Sequence, residues 1–483
     1  MPASLYVGTG QSQLEGDELL IKLFEHQAKG IELLAEHDSF GLFWDMGSGK
    51  TLTMLIHLSN LVLSGEVETI LWLAPKSALG AVDRDLDTME AQGLAYRSEA
   101  LRGRIVLMNY EKLSRKDSKY RKLVDNTEFD AIVMDEAHCL ARPTSNRSKY
   151  VIGTGRSKGL INRIKYRYAM TGTPVTNSRL EDFWSFMMTV TGGNYYNYPS
   201  FEREYLKTHF LPGTYVKVID GYRNADKLLT EVAGYSQSIT KDECLDLPEV
   251  MPDNAIEIPW KGGTNKATGA STEQTYLDAL NENVIEATEE VFDNALVRTL
   301  RLRQIASGHI KGEGKVLPLN NYKVEYAMEL IENNPNKTVV FYEFIESFKT
   351  LAHALKKLKI PFMFLNGEQS NKNIWRDFQA ASANECKVFL AQYKSANAGI
   401  DLYTASDTIY YEPCTSSTVL DQSRSRTHRN GVSRACTFTF LLTKDSIERD
   451  IYERLQAHED FNEKLWIELK RKEHAEMKTR KGA

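Results

Sequence analysis

Residues 39–63 read SFGLFWDMGSGKTLTMLIHLSNLVL, and this stretch decides the fold. The apolar run 39–44 leads into Asp45-Met46-Gly47-Ser48-Gly49-Lys50-Thr51, and apolar residues at helical spacing follow. A strand, a glycine loop and a helix in that order make a phosphate cradle. Glycine lets backbone N–H groups turn inward and approach phosphate oxygens, and the helix N-terminus adds partial positive charge. Lys50 is placed to reach the β- and γ-phosphates, and Thr51 to offer a hydroxyl to Mg2+. Met46, Gly47, Ser48, Gly49, Lys50 and Thr51 are the expected nucleotide-binding loop. The general pattern has glycine five residues before Gly49, whereas Trp44 stands there, so the loop is shorter than the standard one.

Outward from this loop, buried apolar runs alternate with helical stretches. Strands are expected at 68–75, 104–109 and 129–135, and again at 337–342, 361–366, 386–392, 408–412 and 436–442. Continuous Ile/Val/Leu runs separated by helices indicate parallel sheets covered on both faces. The third run ends in Asp135-Glu136-Ala137-His138. Open α/β sheets bind ligands at the C-terminal ends of their strands. Asp135 is therefore expected to hold Mg2+, and Glu136 to orient and deprotonate an attacking water.

The expected organisation is α/β: two parallel-sheet units, residues 1–190 and 316–455, flank a mostly helical insertion, 191–315, and a basic tail, 456–483, follows. Residues 272–307 read as one long helix, acidic at first and basic at its end. The 483 residues, 42% of them hydrophobic, exclude a mostly disordered or fibrous chain. The five cysteines lie far apart with no Cys-x-x-Cys pair, which argues against a zinc ribbon or disulfide scaffold. The first twenty residues do not read as a signal peptide, and no apolar run reaches the ~18 residues that span a bilayer. A cytoplasmic protein with no membrane partner is expected.

The segments LFEHQ (23–27), DMGSGKT (45–51), LWLAPKSAL (71–79), DEAH (135–138), TGTP (171–174), SANAGIDL (395–402) and QSRSRTHRNG (422–431) occur in this order. Together they resemble the motifs of superfamily-two helicases, and most closely those of Swi/Snf-like DNA translocases. The resemblance implies two RecA-like lobes and an ATP- and Mg2+-dependent motor. It implies that Gln27 reads adenine, and that Lys50, Thr51, Asp135 and Glu136 hold and hydrolyse the Mg2+-bound triphosphate. His138, Thr171 and Thr173 would couple ATP to nucleic acid. Gly399 and Asp401 would lie beside ATP, and Gln422, Arg426 and Arg429 would supply the last motif with its arginine fingers. Asp401 departs from the family, whose members often carry asparagine there. Compared with larger family members the chain reads as a minimal motor, such as one from a phage or mobile element, working in a bacterial or phage-infected cell.

The net charge of 60 − 65 = −5 argues superficially against nucleic acid. Yet Arg142, Arg147, Lys149, Arg156, Lys158, Arg163, Lys165 and Arg167 fall in a span with no acidic residue. The first seven are the expected phosphate-binding set. Double-stranded or branched DNA is the expected partner of a monomeric motor in replication, recombination or repair, with other proteins of those processes as further partners. An RNA helicase and a nucleotide-regulated scaffold without turnover are the alternatives. The last motif lacks the His-Arg-x-Gly-Arg-x-x-Arg form of RNA helicases, and the intact Lys50, Glu136 and Arg429 argue against the scaffold.

Overall fold

The computed structural model describes residues 23–461 except 77, 155–156, 173, 175–178, 211–216, 245–246, 282–283, 286–289, 292–294, 312–315, 372 and 397–399. The expected lead-in at 1–20 and nearly all of the basic tail lie outside the described residues. The chain forms two compact units that divide between Asp246 and Leu247.

In the first unit α1 (Glu25–Ala35) precedes β1 (Ser39–Trp44) and α2 (Lys50–Leu63), and the sheet continues with β2 (Ile70–Ala74), β3 (Ile105–Asn109), β4 (Ala131–Asp135) and β5 (Tyr166–Met170). A last strand follows, Ser236–Ile239. The six strands are all parallel, in the order β3-β2-β4-β5-β1 and then 236–239. Both faces are covered. Leu71, Leu73, Ile132 and Met134 enter one apolar core, and Trp72, Ala74, Ala131 and Val133 the other. Continuous apolar runs are the consequence of such two-sided burial.

Two glycines set how closely helices approach this sheet. A side chain at Gly41 in β1 would meet the Phe186 ring at 2.6 Å, and one at Gly30 in α1 would meet the Trp44 indole at 2.5 Å. Trp44 is fully buried, and its Nε1 donates to Gln237 Oε1 at 3.1 Å. It belongs to the strand and not to the loop, which explains the shortened glycine motif: the turn begins only at Asp45.

The second unit repeats the design with a sheet of six parallel strands, Phe362–Leu365, Val388–Gln392, Thr338–Tyr342, Asp407–Tyr410, Thr437–Thr443 and Asn254–Ile258 in that order. Val339 and Phe341 enter one core, and Val340 and Tyr342 the other. The stretch 191–315 is divided between the units: 236–239 edges the first sheet and 254–258 the second. Both strands are short and largely half-exposed, so neither makes the apolar run that marks a central strand. The long helix expected over 272–307 is two helices, Thr272–Asn281 and Ala295–Ala306. Val284–Ile285 and Glu290–Val291 pair antiparallel between them, where β-branched residues favour extended backbone over helix.

Adding a methyl group at Gly30 should be felt at Trp44. Gly30→Ala is expected to destabilise the first unit by about 1–3 kcal/mol through overpacking. Gly80 has nothing within 4 Å of an added Cβ. In its helix, Gly80→Ala should be neutral or stabilising by up to about 1 kcal/mol. Urea unfolding of both variants measures the difference, and equal effects would overturn the packing account.

Candidate nucleotide and nucleic-acid sites

The glycine loop turns as its sequence requires. Gly47 and Gly49 have φ of 88° and 86°, in the left-handed region. Gly49 is doubly constrained, because an added Cβ would lie 2.2 Å from Gln27 Nε2. Gln27 is buried, and its Oε1 accepts from Phe24 N at 3.0 Å, closing the first turn of α1. His26 Nε2 contacts Ser48 O at 2.8 Å, so α1 grips the loop from one side. From the other side the Lys241 N–H donates to Asp45 Oδ2 at 3.0 Å.

Lys50 opens α2 and is only 8% exposed. Its ammonium donates to Trp44 O at 2.6 Å and Asp45 O at 3.1 Å. Burial lowers its pKa, while the charges of Glu136, Asp135 and Asp45 oppose that shift. Thr51, next on the helix, is half-buried. Asp135 ends β4 and is buried; burial, reinforced by the Glu136 charge, pushes its pKa up to about 7.

Glu136 has φ 51° and ψ 55°. A non-glycine residue held there costs about 1–3 kcal/mol, and such strain clusters at functional sites. The Thr171 hydroxyl donates to Glu136 Oε2 at 3.3 Å, and His138 Nδ1 lies 3.3 Å from the same oxygen and 3.1 Å from Thr171 Oγ1. Burial works against a charged His138, but hydrogen bonds to Cys139 and Glu136 and the Glu136 charge outweigh it, holding the ring's pKa at about 10. DEAH and the first threonine of TGTP thus form one hydrogen-bonded cluster; Thr173 lies outside the described residues.

In the second unit the helix Ser417–Thr427 carries Gln422 and Arg426, both half-buried. Arg429, just beyond it, pairs with Asp401. Gly399 lies outside the described residues. Arg424, which sequence reasoning did not single out, pairs with Asp253 and lies 5.1 Å from the Phe438 ring centroid.

The basic span separates into two groups. Arg163 donates to Val124 O at 2.6 Å, Lys165 donates to the Tyr166 hydroxyl at 2.7 Å, and Arg147 lies 3.7 Å from Glu111. Arg167 caps Thr189 O at 3.0 Å. These cations tie loops together. Arg142, Lys149 and Lys158 are exposed and form no ion pair among the described residues; Arg156 lies outside them. Lys149 and Lys158 line a cleft of about 440 Å³ with Lys116, Arg121, Tyr150 and Arg163. Lys116 was missed because the basic run 112–122 is interrupted by Asp117. Tyr195 donates to Glu231 at 2.6 Å and Tyr198 packs edge-on against Trp184, so both serve the fold. Phe24 was also missed: it is 41% exposed beside Gln27 and stacks on His26. Its only sequence signal is adjacency to the Gln27 segment.

No helix among the described residues is long and apolar enough to cross a membrane. The five cysteines are free thiols. An SNF2-related domain matches residues 26–232, and a helicase conserved C-terminal domain matches residues 322–431. A Mycoplasma genitalium protein described as an uncharacterized ATP-dependent helicase is 26% identical, over 92% of this chain and 42% of its own length. A putative ATP-dependent helicase/translocase of Bacillus subtilis is 24% identical, over 90% of this chain and 48% of its own. The chain thus spans less than half the length of these relatives. The solved Sulfolobus solfataricus SWI2/SNF2 ATPase core in complex with dsDNA is 22% identical, with coverage of 92% of this chain and 93% of that one and a TM-score of 0.40.

The raised pKa of Asp135 has a sign that stability measurements can read. Its stabilising contribution is complete below its ordinary 3.8 and is lost as pH rises through about 7. Asp135→Asn removes the charge and keeps an acceptor. In magnesium-free buffer the variant should melt above the wild type at pH 8 by at least ~2–4 °C, the scale of one kcal/mol in a unit of this size. The gap should shrink towards pH 4. A gap independent of pH would contradict the buried-carboxylate account.

Proposed function

We propose that this chain, which belongs to the Swi/Snf-like family of superfamily-two ATP-dependent helicases, is an ATP-hydrolysing motor that moves along double-stranded DNA. One observation carries the reading. Lys50, on the glycine loop that follows β1, and Asp135 and Glu136, at the end of β4, stand at the C-terminal edge of one parallel sheet. A desolvated cation, an inward-turned loop and two carboxylates are what phosphoryl transfer to water needs.

The roles follow from the atoms. Backbone N–H groups of Met46–Gly49 cradle the triphosphate, and Lys50 exchanges the Trp44 and Asp45 carbonyls for phosphate oxygens. Gln27 and the exposed Phe24 ring frame the adenine by hydrogen bonding and stacking. The Thr51 hydroxyl and Asp135 carboxylate are hard oxygen donors that fit Mg2+, which takes one or two protein oxygens and completes its shell with phosphate and water. When bound, that ion neutralises charge on the triphosphate. Glu136 accepts the proton of the attacking water, with its carboxylate aimed by Thr171 and His138. Arg426 and Arg429 are the candidate fingers, stabilising charge on the transferring group.

Lys149, Lys158, Lys116 and Arg142 are the residues proposed to meet the DNA backbone. Contacts of this kind hold DNA without reading its sequence. Remodelling of forks or branches in replication, recombination or repair is the proposed use of the motion. ATP turnover measured side by side with single-stranded DNA, duplex DNA, a four-way junction and RNA tests the assignment; stimulation by RNA alone would overturn it.

Lys50→Ala and Glu136→Gln should each abolish DNA-stimulated ATP turnover while the chain stays folded, as circular dichroism would show. Arg429→Ala should keep ATP affinity and cut turnover by about 10³-fold, the scale of other arginine fingers. Full turnover in any of the three removes that residue from its role. Reversing the charges of Lys149 and Lys158 together should flatten the dependence of log affinity on log salt by a slope of about 2, or ~0.9 per lost phosphate contact. The same reversal at Arg163 should act on folding instead, because its donors are spent on Val124 and Asp125 carbonyls. An unchanged slope after the Lys149/Lys158 reversal would place the groove elsewhere.

A further inference from the structure

The arginines around the helix Ser417–Thr427 occupy different surroundings. Arg424 is committed to the fold through Asp253 and the aromatic ring of Phe438. Arg429 donates from a guanidinium nitrogen to Asp401 Oδ1, and the two side chains are 25% and 22% exposed. The backbones on both sides of this contact are anchored. Leu402 N donates to Arg426 O at 2.8 Å, Val432 N to Arg429 O at 3.1 Å, and Gln379 Nε2 to Asp401 O at 2.6 Å. The pair is therefore built into the second unit and is more than a meeting of two loose surface side chains. It also joins two motifs, since Asp401 ends SANAGID and Arg429 ends QSRSRTHR.

We propose that Asp401 is a positioning residue that acts through Arg429: its carboxylate holds the guanidinium on the second unit, and turnover requires the guanidinium to leave it for triphosphate oxygens. The proposal rests on the motor reading above. A pair this exposed is a weak hold, worth about fivefold in population at most. Charge-assisted bonds to a triphosphate are stronger and more numerous. The carboxylate therefore sets how rarely the finger is available at rest without preventing its use when nucleotide and DNA are both engaged. An asparagine here accepts the same hydrogen bond but lacks the charge, so the restraint depends on the aspartate.

The test uses the full chain at saturating ATP, without nucleic acid and with saturating duplex DNA, over a range of salt. Asp401→Asn should raise the resting kcat about three- to fivefold, as expected for loss of one exposed ion pair. The fold change should be larger in the resting kcat than in the DNA-stimulated kcat, because the restraint acts only while the finger is unengaged. Salt should raise the wild-type resting rate towards that of the variant and leave the variant's rate flat, because screening weakens only the charged pair. Asp401→Glu, which keeps the charge on a longer side chain, should raise the resting rate less than Asp401→Asn does, and guards against a folding defect. The double variant Asp401→Asn/Arg429→Ala should turn over no faster than Arg429→Ala alone. A resting kcat in Asp401→Asn at or below the wild-type value overturns the proposal, as does a rise that survives Arg429→Ala. A wild-type chain that hydrolyses no ATP with any nucleic acid fails differently, and sinks the motor reading with it.

Discussion

A lysine ammonium removed from water is the constraint around which the first unit is arranged. Lys50 cannot be buried without acceptors, because an isolated buried cation is prohibitively costly. The Trp44 and Asp45 carbonyls supply them, and they face Lys50 only because the chain reverses through left-handed Gly47 and Gly49. That reversal leaves so little room that Gln27 Nε2 occupies the space a Gly49 side chain would need. Gln27 is held there by α1, and α1 comes close because Gly30 lies against the Trp44 indole. One cation therefore links the loop, the strand end and the first helix. The opposing charges lie at the end of β4, where burial raises the pKa of Asp135 and Glu136, in left-handed backbone just beyond the strand, meets Thr171 and His138 through its carboxylate.

The second unit uses charge in two ways that differ in cost. Lys323 and Glu448 are fully buried, 2.5 Å apart, and Lys323 also donates to Tyr411 O at 2.9 Å. Glu412 beside them accepts from Ser347 and from Glu343 N, and burial pushes its pKa up to about 7. Removing one partner of such a buried pair costs about 3–5 kcal/mol, so these groups hold the strand ends in place. The Arg429–Asp401 pair is partly exposed and belongs to the other regime, in which forming and breaking it is energetically cheap. A motor needs both. The scaffold that carries the arginines must stay rigid while one guanidinium remains able to move.

Much of this fold is legible in the amino-acid sequence. The central strands were readable because burial on both faces turns them into unbroken apolar runs, and 39–44 coincides with β1 to the residue. The loop residues and the acidic pair were readable because phosphate chemistry restricts which residue types can stand there. The edge strands 236–239 and 254–258 were not, since each buries little and carries polar residues. β5 was hidden inside the basic span, where Arg167 alternates with Tyr166 and Tyr168. The two-helix form of 272–307 was hidden because its charges follow a helical pattern while Val284, Ile285 and Val291 pair as strands.

What the sequence determined by itself is the order of the motifs and the class of chemistry they propose, because glycine, lysine, carboxylate and arginine at those positions have few other uses together. What only the tertiary structure decided is how each charge is employed. Arg147, Arg163, Lys165 and Arg167 carry the same charge in the sequence as Lys149 and Lys158, yet the former are spent on carbonyls, a phenol and a carboxylate of their own unit. Asp401, read from the sequence only as a neighbour of ATP, became the partner of Arg429. A side chain's charge is a property of its residue type, but the work the charge does depends on which acceptors the fold brings within about 3 Å of it.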